Sequence, residues 1–288
     1  MAKRLLGLVG GSVLFLTACS GSGDGATLGA GGGADPGAGL GASGAASAND
    51  AGASGTTPRT GGANGANDAG KASDAKGPPS GPGPGSGGIG GKGPGEHDVT
   101  LAGTNVALHV PNKAAPLPLL VLLHGQGDTG RNFLNVWLAK GLPGDLLIAA
   151  PDDNSDGSAL DVEAALESQY NVDVSRRYAY GFSQGGAYAA FLLYDANAAK
   201  HFTAIGLGSS GLAQDPSSIP AATAGSPSVA VVIDPADMNN TWGQGKHVME
   251  DFTGLLQARG YNAKLWLHGQ GHSLAPTETG AAMAWMRQ

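Results

Sequence analysis

Tyr180-Gly181-Phe182-Ser183-Gln184-Gly185-Gly186 decides how this chain is read. It is the one Gly-x-Ser-x-Gly in the sequence, preceded by Arg177-Tyr178-Ala179-Tyr180, which reads as a short strand, and followed by an apolar helix from Ala187 to Tyr194. A serine between strand and helix sits in a sharp turn that strains its backbone, and side chains on its flanks would collide with the strand or the helix. Glycine at 181 and 185 removes those collisions, and Gly186 gives further room. A chance glycine-serine turn would require neither the strand nor the helix.

Outward from this turn, residues 96–288 carry a regular alternation. Val99–Leu101 and Val106–Val110 flank Ala-Gly-Thr-Asn and predict a hairpin. Leu117–Leu123 is a continuous apolar run ending in His124-Gly125-Gln126-Gly127-Asp128, followed by a helix over Asn132–Lys140. Strands are predicted at Leu146–Ala150, Thr203–Leu207, Ser228–Asp234 and Asn262–Leu267, and helices at Ala159–Tyr170, Lys246–Arg259 and Thr277–Met286. Apolar runs alternating with helices give a mostly parallel sheet covered on both faces, with no long insertion to serve as a lid.

Such sheets bind ligands at the carboxyl ends of their strands, and each motif of the domain falls at such an end. Asp237 follows the strand ending at Asp234, and His272 lies in His268-Gly269-Gln270-Gly271-His272-Ser273 after the last strand. The chain order Ser183, Asp237, His272 is the nucleophile, acid and base order of the α/β-hydrolases. A serine hydroxyl is a poor nucleophile until a base takes its proton, and an acid holds the imidazole in the right tautomer. The backbone amides of Gln126 and Gln184 are placed to receive an oxyanion.

Leu122-Leu123-His124-Gly125-Gln126-Gly127-Asp128, the Gly-Phe-Ser-Gln-Gly-Gly elbow and Gly269-Gln270-Gly271-His272-Ser273 together resemble the phospholipase/carboxylesterase family of α/β-hydrolases, which includes acyl-protein thioesterases. The resemblance runs from about Leu117 onward. It implies an α/β-hydrolase fold without a large lid and hydrolysis of carboxylic or thio esters through an acyl-enzyme. In it Ser183 is nucleophile, His272 base, Asp237 acid, and Gln126 and Gln184 are oxyanion donors. The chain departs from the family at Asp234-Pro235-Ala236-Asp237, which makes Asp234 a rival acid, and in a shortened loop after Pro151. Feruloyl and acetylxylan esterases and polyhydroxyalkanoate depolymerases share the general plan, so a small-molecule and a polymeric ester both stand as substrates. A hydrolase-fold domain that binds without turnover is the reading from another class.

The first 95 residues are of a different kind. Met1-Ala2-Lys3-Arg4, the short apolar run Leu5–Leu16 and Leu16-Thr17-Ala18-Cys19 resemble a bacterial lipoprotein signal, too short to span a bilayer. The resemblance implies removal of residues 1–18, lipidation of Cys19 and a membrane-anchored, extracytoplasmic protein. Cys19 is the single cysteine, so no disulfide forms within the chain. Residues 19–95 are Gly, Ala, Ser, Asn, Asp and Pro with almost nothing to build a core, which predicts a disordered tether. A Gly-rich coil of that length spans roughly 50 Å. The formal net charge of −7 argues against nucleic acid as a partner, and a monomer is expected.

Two possible metal sites arise from the sequence. His268 and His272 are four apart, yet glycines at 269 and 271 oppose a helix there and the glutamate of a zinc protease motif is missing, so no metal or cofactor is assigned. Asp152-Asp153-Asn154-Ser155-Asp156-Gly157 with Glu163 matches the spacing of a calcium loop. The competing account is a polar surface loop, with Ser158 as helix cap and Asp161 completing a capping box. His124 is expected to order the oxyanion loop, and His97, His109, His201 and His247 have no motif around them. Trp242, just after the acid loop, is a candidate for the pocket wall.

Overall fold

Seven consecutive apolar residues, Leu117–Leu123, form a strand buried along its whole length, which only a sheet covered on both faces can accommodate. Its side chains alternate: Leu119, Val121 and Leu123 enter the core on one face, while Leu120 and Leu122 enter the core on the other. The computed structural model describes residues 83–288 except 244 and 246. The signal sequence, Cys19 and the tether as far as residue 82 lie outside the described residues.

Ten strands are present among the described residues: β1 (Gly95–Leu101), β2 (Thr104–Val110), β3 (Leu117–Leu123), β4 (Leu147–Pro151), β5 (Val172–Phe182), β6 (Ala204–Gly208), β7 (Ser228–Ile233), β8 (Thr241–Trp242), β9 (His247–Val248) and β10 (Ala263–Leu267). Eight form one sheet in the order β1-β2-β4-β3-β5-β6-β7-β10, parallel from β4 to β10, and β8 and β9 form a separate small hairpin. β1 and β2 are antiparallel and turn at Ala102-Gly103, both with positive φ, the turn whose twist matches a two-residue hairpin. Thr104 and Asn105 therefore belong to the strand and not to the turn.

The helices are α1 (Gly130–Ala139), α2 (Asp156–Gln169), α3 (Gln184–Phe191), α4 (Ala196–Ala199), α5 (Met249–Ala258) and α6 (Met283–Met286), the last preceded by a π-helical turn at Glu278–Ala282. α1 packs Phe133, Leu134 and Trp137 against one face, and α2, α3 and α5 cover the other. The connection from β3 runs along one face and that from β5 along the other, so their loops diverge between two adjacent strands. This is the switch point at which open α/β sheets place a site.

Residues 83–94, assigned by composition to the tether, have defined contacts at the amino end of β5. Ser86 N–H donates to Val172 O (2.8 Å), Val174 N–H to Pro84 O (3.1 Å) and Gly83 N–H to the buried Asp173 carboxylate (2.8 Å). Glycine permits this close approach: a Cβ on Gly91 would lie 2.3 Å from the Tyr170 ring. This contact is made at the end of the sheet opposite the motifs.

Candidate active site

The elbow has the strain its sequence implies. Ser183 has φ 55° and ψ −119°, a backbone conformation that side chains rarely adopt and that costs on the order of 1–3 kcal/mol. It is held by Ser183 N–H donating to Gly208 O (2.8 Å) from the neighbouring strand. A Cβ on Gly181 would lie 2.0 Å from Gly185 O, and one on Gly185 would lie 2.1 Å from Leu123 O. Neither position has room for a side chain.

His272 reaches the serine from the loop after β10. Its Nε2 is 2.8 Å from Ser183 Oγ and its Nδ1 is 2.6 Å from Asp237 Oδ2. The Nδ1–H therefore donates to the carboxylate and Nε2 is left to accept from the hydroxyl. Asp237 is buried, with 3% of its side chain exposed, whereas 35% of His272 is exposed. Asn239 was not singled out from the sequence. Its backbone and side-chain amides both donate to Asp237 Oδ1 at 2.9 Å, fixing the carboxylate from behind.

Asp234 and Asp237, which the sequence leaves as rivals, occupy different places. Asp234 Oδ2 accepts from Gly271 N–H (2.5 Å) and Oδ1 from Ala236 N–H (2.9 Å), and its carbonyl accepts from Asn240 Nδ2 (2.7 Å). The amides of Ala236 and Gly271 hold its carboxyl below the usual carboxylate range. Asp234 thus ties the acid loop to the histidine loop, and only Asp237 meets the imidazole.

Gln126 lies in the exposed loop after β3, and Gln184 is the first residue of α3, where a backbone N–H has no partner within the helix. The two loops touch: a Cβ on Gly125 would stand 3.5 Å from Ser183 Cβ. His124 is buried beneath them, with Nδ1 2.8 Å from Gly125 O and Nε2 3.2 Å from Asp152 O. Gly125, next to Gln126, therefore lies against Ser183, which Gln184 follows directly in the chain.

Of the two accounts of residues 152–163, the contacts favour the polar surface loop over the calcium cage. Glu163 points away from residues 152–156 and is buried against Arg177 Nη1 (2.6 Å) and His201 Nδ1 (3.0 Å). Asp152 Oδ1 instead accepts from Gly130 N–H (2.9 Å) at the start of α1. The capping box fails, because α2 begins at Asp156 and Ser155, not Ser158, accepts from Ser158 N–H as its cap. Among the described residues no group of three or more His, Cys, Asp or Glu is arranged to hold a metal ion. Trp242 stacks on His247 at 3.9 Å and packs against the core beside α5, so it forms part of the small hairpin.

The sequence matches no protein-family model and no curated protein. Among solved structures, the Bacillus cereus carboxylesterase superposes with a TM-score of 0.50 at 18% sequence identity, over 64% of this chain and 94% of that one. The S-formylglutathione hydrolase of Staphylococcus aureus superposes with a TM-score of 0.50 at 14% identity, over 70% of this chain and 100% of that one. At these identities the likeness is one of fold, and with the mostly parallel sheet it identifies the α/β-hydrolase fold.

Proposed function

We propose that this chain is an extracytoplasmic serine esterase that hydrolyses carboxylic or thio esters through an acyl-enzyme. The observation that carries the reading is the hydrogen-bonded line from Asp237 through His272 to Ser183, ending on a strained serine at the start of α3. Ser183 Oγ attacks the ester carbonyl while His272 Nε2 takes its proton, and Asp237 stabilises the imidazolium. The carbonyl oxygen becomes an oxyanion facing the amides of Gln126 and Gln184. His272 returns the proton to the leaving alcohol or thiol. Water, deprotonated by the same imidazole, then releases the acid and regenerates the serine.

One observation favours a polymeric or surface-bound ester over a small one. The base is partly exposed, and Gln126 in the loop after β3 and Pro235, Ala236 and Met238 in the acid loop are exposed, Met238 at 89%. An ester projecting from a larger body can reach such a site without entering a closed pocket. Lipidation at Cys19 would hold the domain on the cell envelope within reach of such a body.

A fluorophosphonate probe tests turnover chemistry, because only an activated serine reacts with it quickly. Fast labelling of the wild type that maps to Ser183 is expected. Labelling no faster than that of a surface serine would favour a binding domain without turnover. A panel of model esters of increasing chain length would then define the acyl group.

A further inference from the structure

The loop between β4 and α2 holds the oxyanion loop from outside. Asn154 Nδ2 donates to His124 O. Asp152 O faces His124 Nε2, whose ring also faces Gly125 O through Nδ1, and Asp128 N–H donates to Gly125 O (3.2 Å). A trans peptide is planar, so its carbonyl and its N–H point in opposite directions. Fixing the Gly125 carbonyl therefore fixes the direction of the Gln126 N–H, and fixing the His124 carbonyl fixes the peptide before it. Gly125 has no side chain to resist rotation of either peptide.

The histidine alone is an incomplete clamp. A neutral imidazole carries one N–H and can bond only one of the two carbonyls that face it, whereas the Asn154 amide donates in any protonation state of the ring. Asn154 is also rigidly mounted. Asp152 N–H donates to Asn105 O (2.8 Å), Asp153 N–H donates to Thr104 Oγ1 (3.1 Å), and Ser155 caps α2.

We infer that Asn154 is a positioning residue for the oxyanion site, acting through the His124 and Gly125 peptides on the Gln126 amide. The inference rests on the esterase reading. It is tested with Asn154→Ala, which removes the donor, and Asn154→Asp, which keeps the shape but turns an acceptor toward the His124 carbonyl. On p-nitrophenyl acetate, kcat should fall about ten- to a hundredfold, less than the full loss of an oxyanion donor, with KM changed by no more than about twofold. The split is expected because the hole engages the transition state and not the ground-state carbonyl. Asn154→Asp should be the slower variant. Wild-type kcat in both variants, with or without a lowered melting temperature, would overturn the inference, and should Asn154→Asp fail to fold, Asn154→Ala decides alone. Turnover that Ser183→Ala abolishes and Asn154→Ala spares would sink only this inference. A wild type without ester turnover would remove the esterase reading and this inference with it.

Discussion

Replacing Glu278 by Gln should stabilise the protein by an amount that grows with pH. Glu278 opens the π-helical turn before α6, and its side chain is fully buried beneath the elbow strand. A Cβ on Gly208 would lie 2.5 Å from Tyr180 Oη and 3.1 Å from Glu278 Oε1, so phenol and carboxyl converge on one spot. Neither carboxyl oxygen meets hydrogen-bond geometry with any described group. Burial, only partly offset by the Ala275 backbone, pushes the carboxyl from 4.5 to about 9. The folded state therefore keeps this proton over a range in which the unfolded chain has lost it. Stability from this group is fully present below about pH 4.5 and is lost as pH rises through about 9, at about 1.4 kcal/mol per pH unit. From pH 6 to 8 the wild type should lose roughly 3 kcal/mol that the glutamine variant keeps, on the order of 6–12 °C in melting temperature. Urea unfolding of both proteins at pH 6, 7 and 8 measures the difference. A gap that stays constant across those values would refute a neutral, buried Glu278.

Three further outcomes follow from the contacts. Asp237→Asn should lower kcat by about three to four orders of magnitude and Asp234→Asn by about one, since only the first faces the imidazole; steady-state kinetics that rank them the other way would make Asp234 the acid. A chain beginning at Glu96 should be less stable than one beginning at Gly83 by about 2 kcal/mol, because it removes the hydrogen bonds that Gly83, Pro84 and Ser86 make to Asp173, Val174 and Val172, while its kcat stays unchanged. Equal urea midpoints would show that residues 83–94 contribute nothing. Cys19→Ser should move the protein from the membrane fraction to the soluble one, and retention of the variant on membranes would end the lipid-anchor proposal.

The strands buried on both faces were the most legible, because parallel strands in that position read as unbroken apolar runs, as in Leu117–Leu123 and Ser228–Ile233. The first half of β5, Val172-Asp173-Val174-Ser175-Arg176-Arg177, was illegible for the opposite reason. Its polar side chains are balanced by partners that only the fold supplies: Arg177 by Glu163 and Glu167 on α2, and Asp173 by Gly83 N–H in addition to its neighbours Ser175 and Arg176. The same long-range pairing hides the contacts of residues 83–94, since a Gly-Pro run whose one large apolar side chain, Ile89, stays exposed can still dock through its backbone. Strand-end chemistry was readable because the α/β plan places loops at one edge whatever their sequence. Asp234 and Asp237 could not be separated, as they stand three apart at one strand end, and the Pro235-Ala236 turn decides which faces His272. Asn239 and Asn154 gave no signal, because an asparagine in a polar loop has many uses and only the fold supplies its partner.

The central claim is that Ser183 and His272 act together on an ester. The most direct measurement is the turnover of p-nitrophenyl acetate by Ser183→Ala, by His272→Ala and by the double variant, each with wild-type melting temperature. Each single change should lower kcat by about three or more orders of magnitude, and the double variant should be no slower than either, because nucleophile and base fail as a unit. Turnover surviving either single change, or losses that multiply in the double variant, would contradict the account.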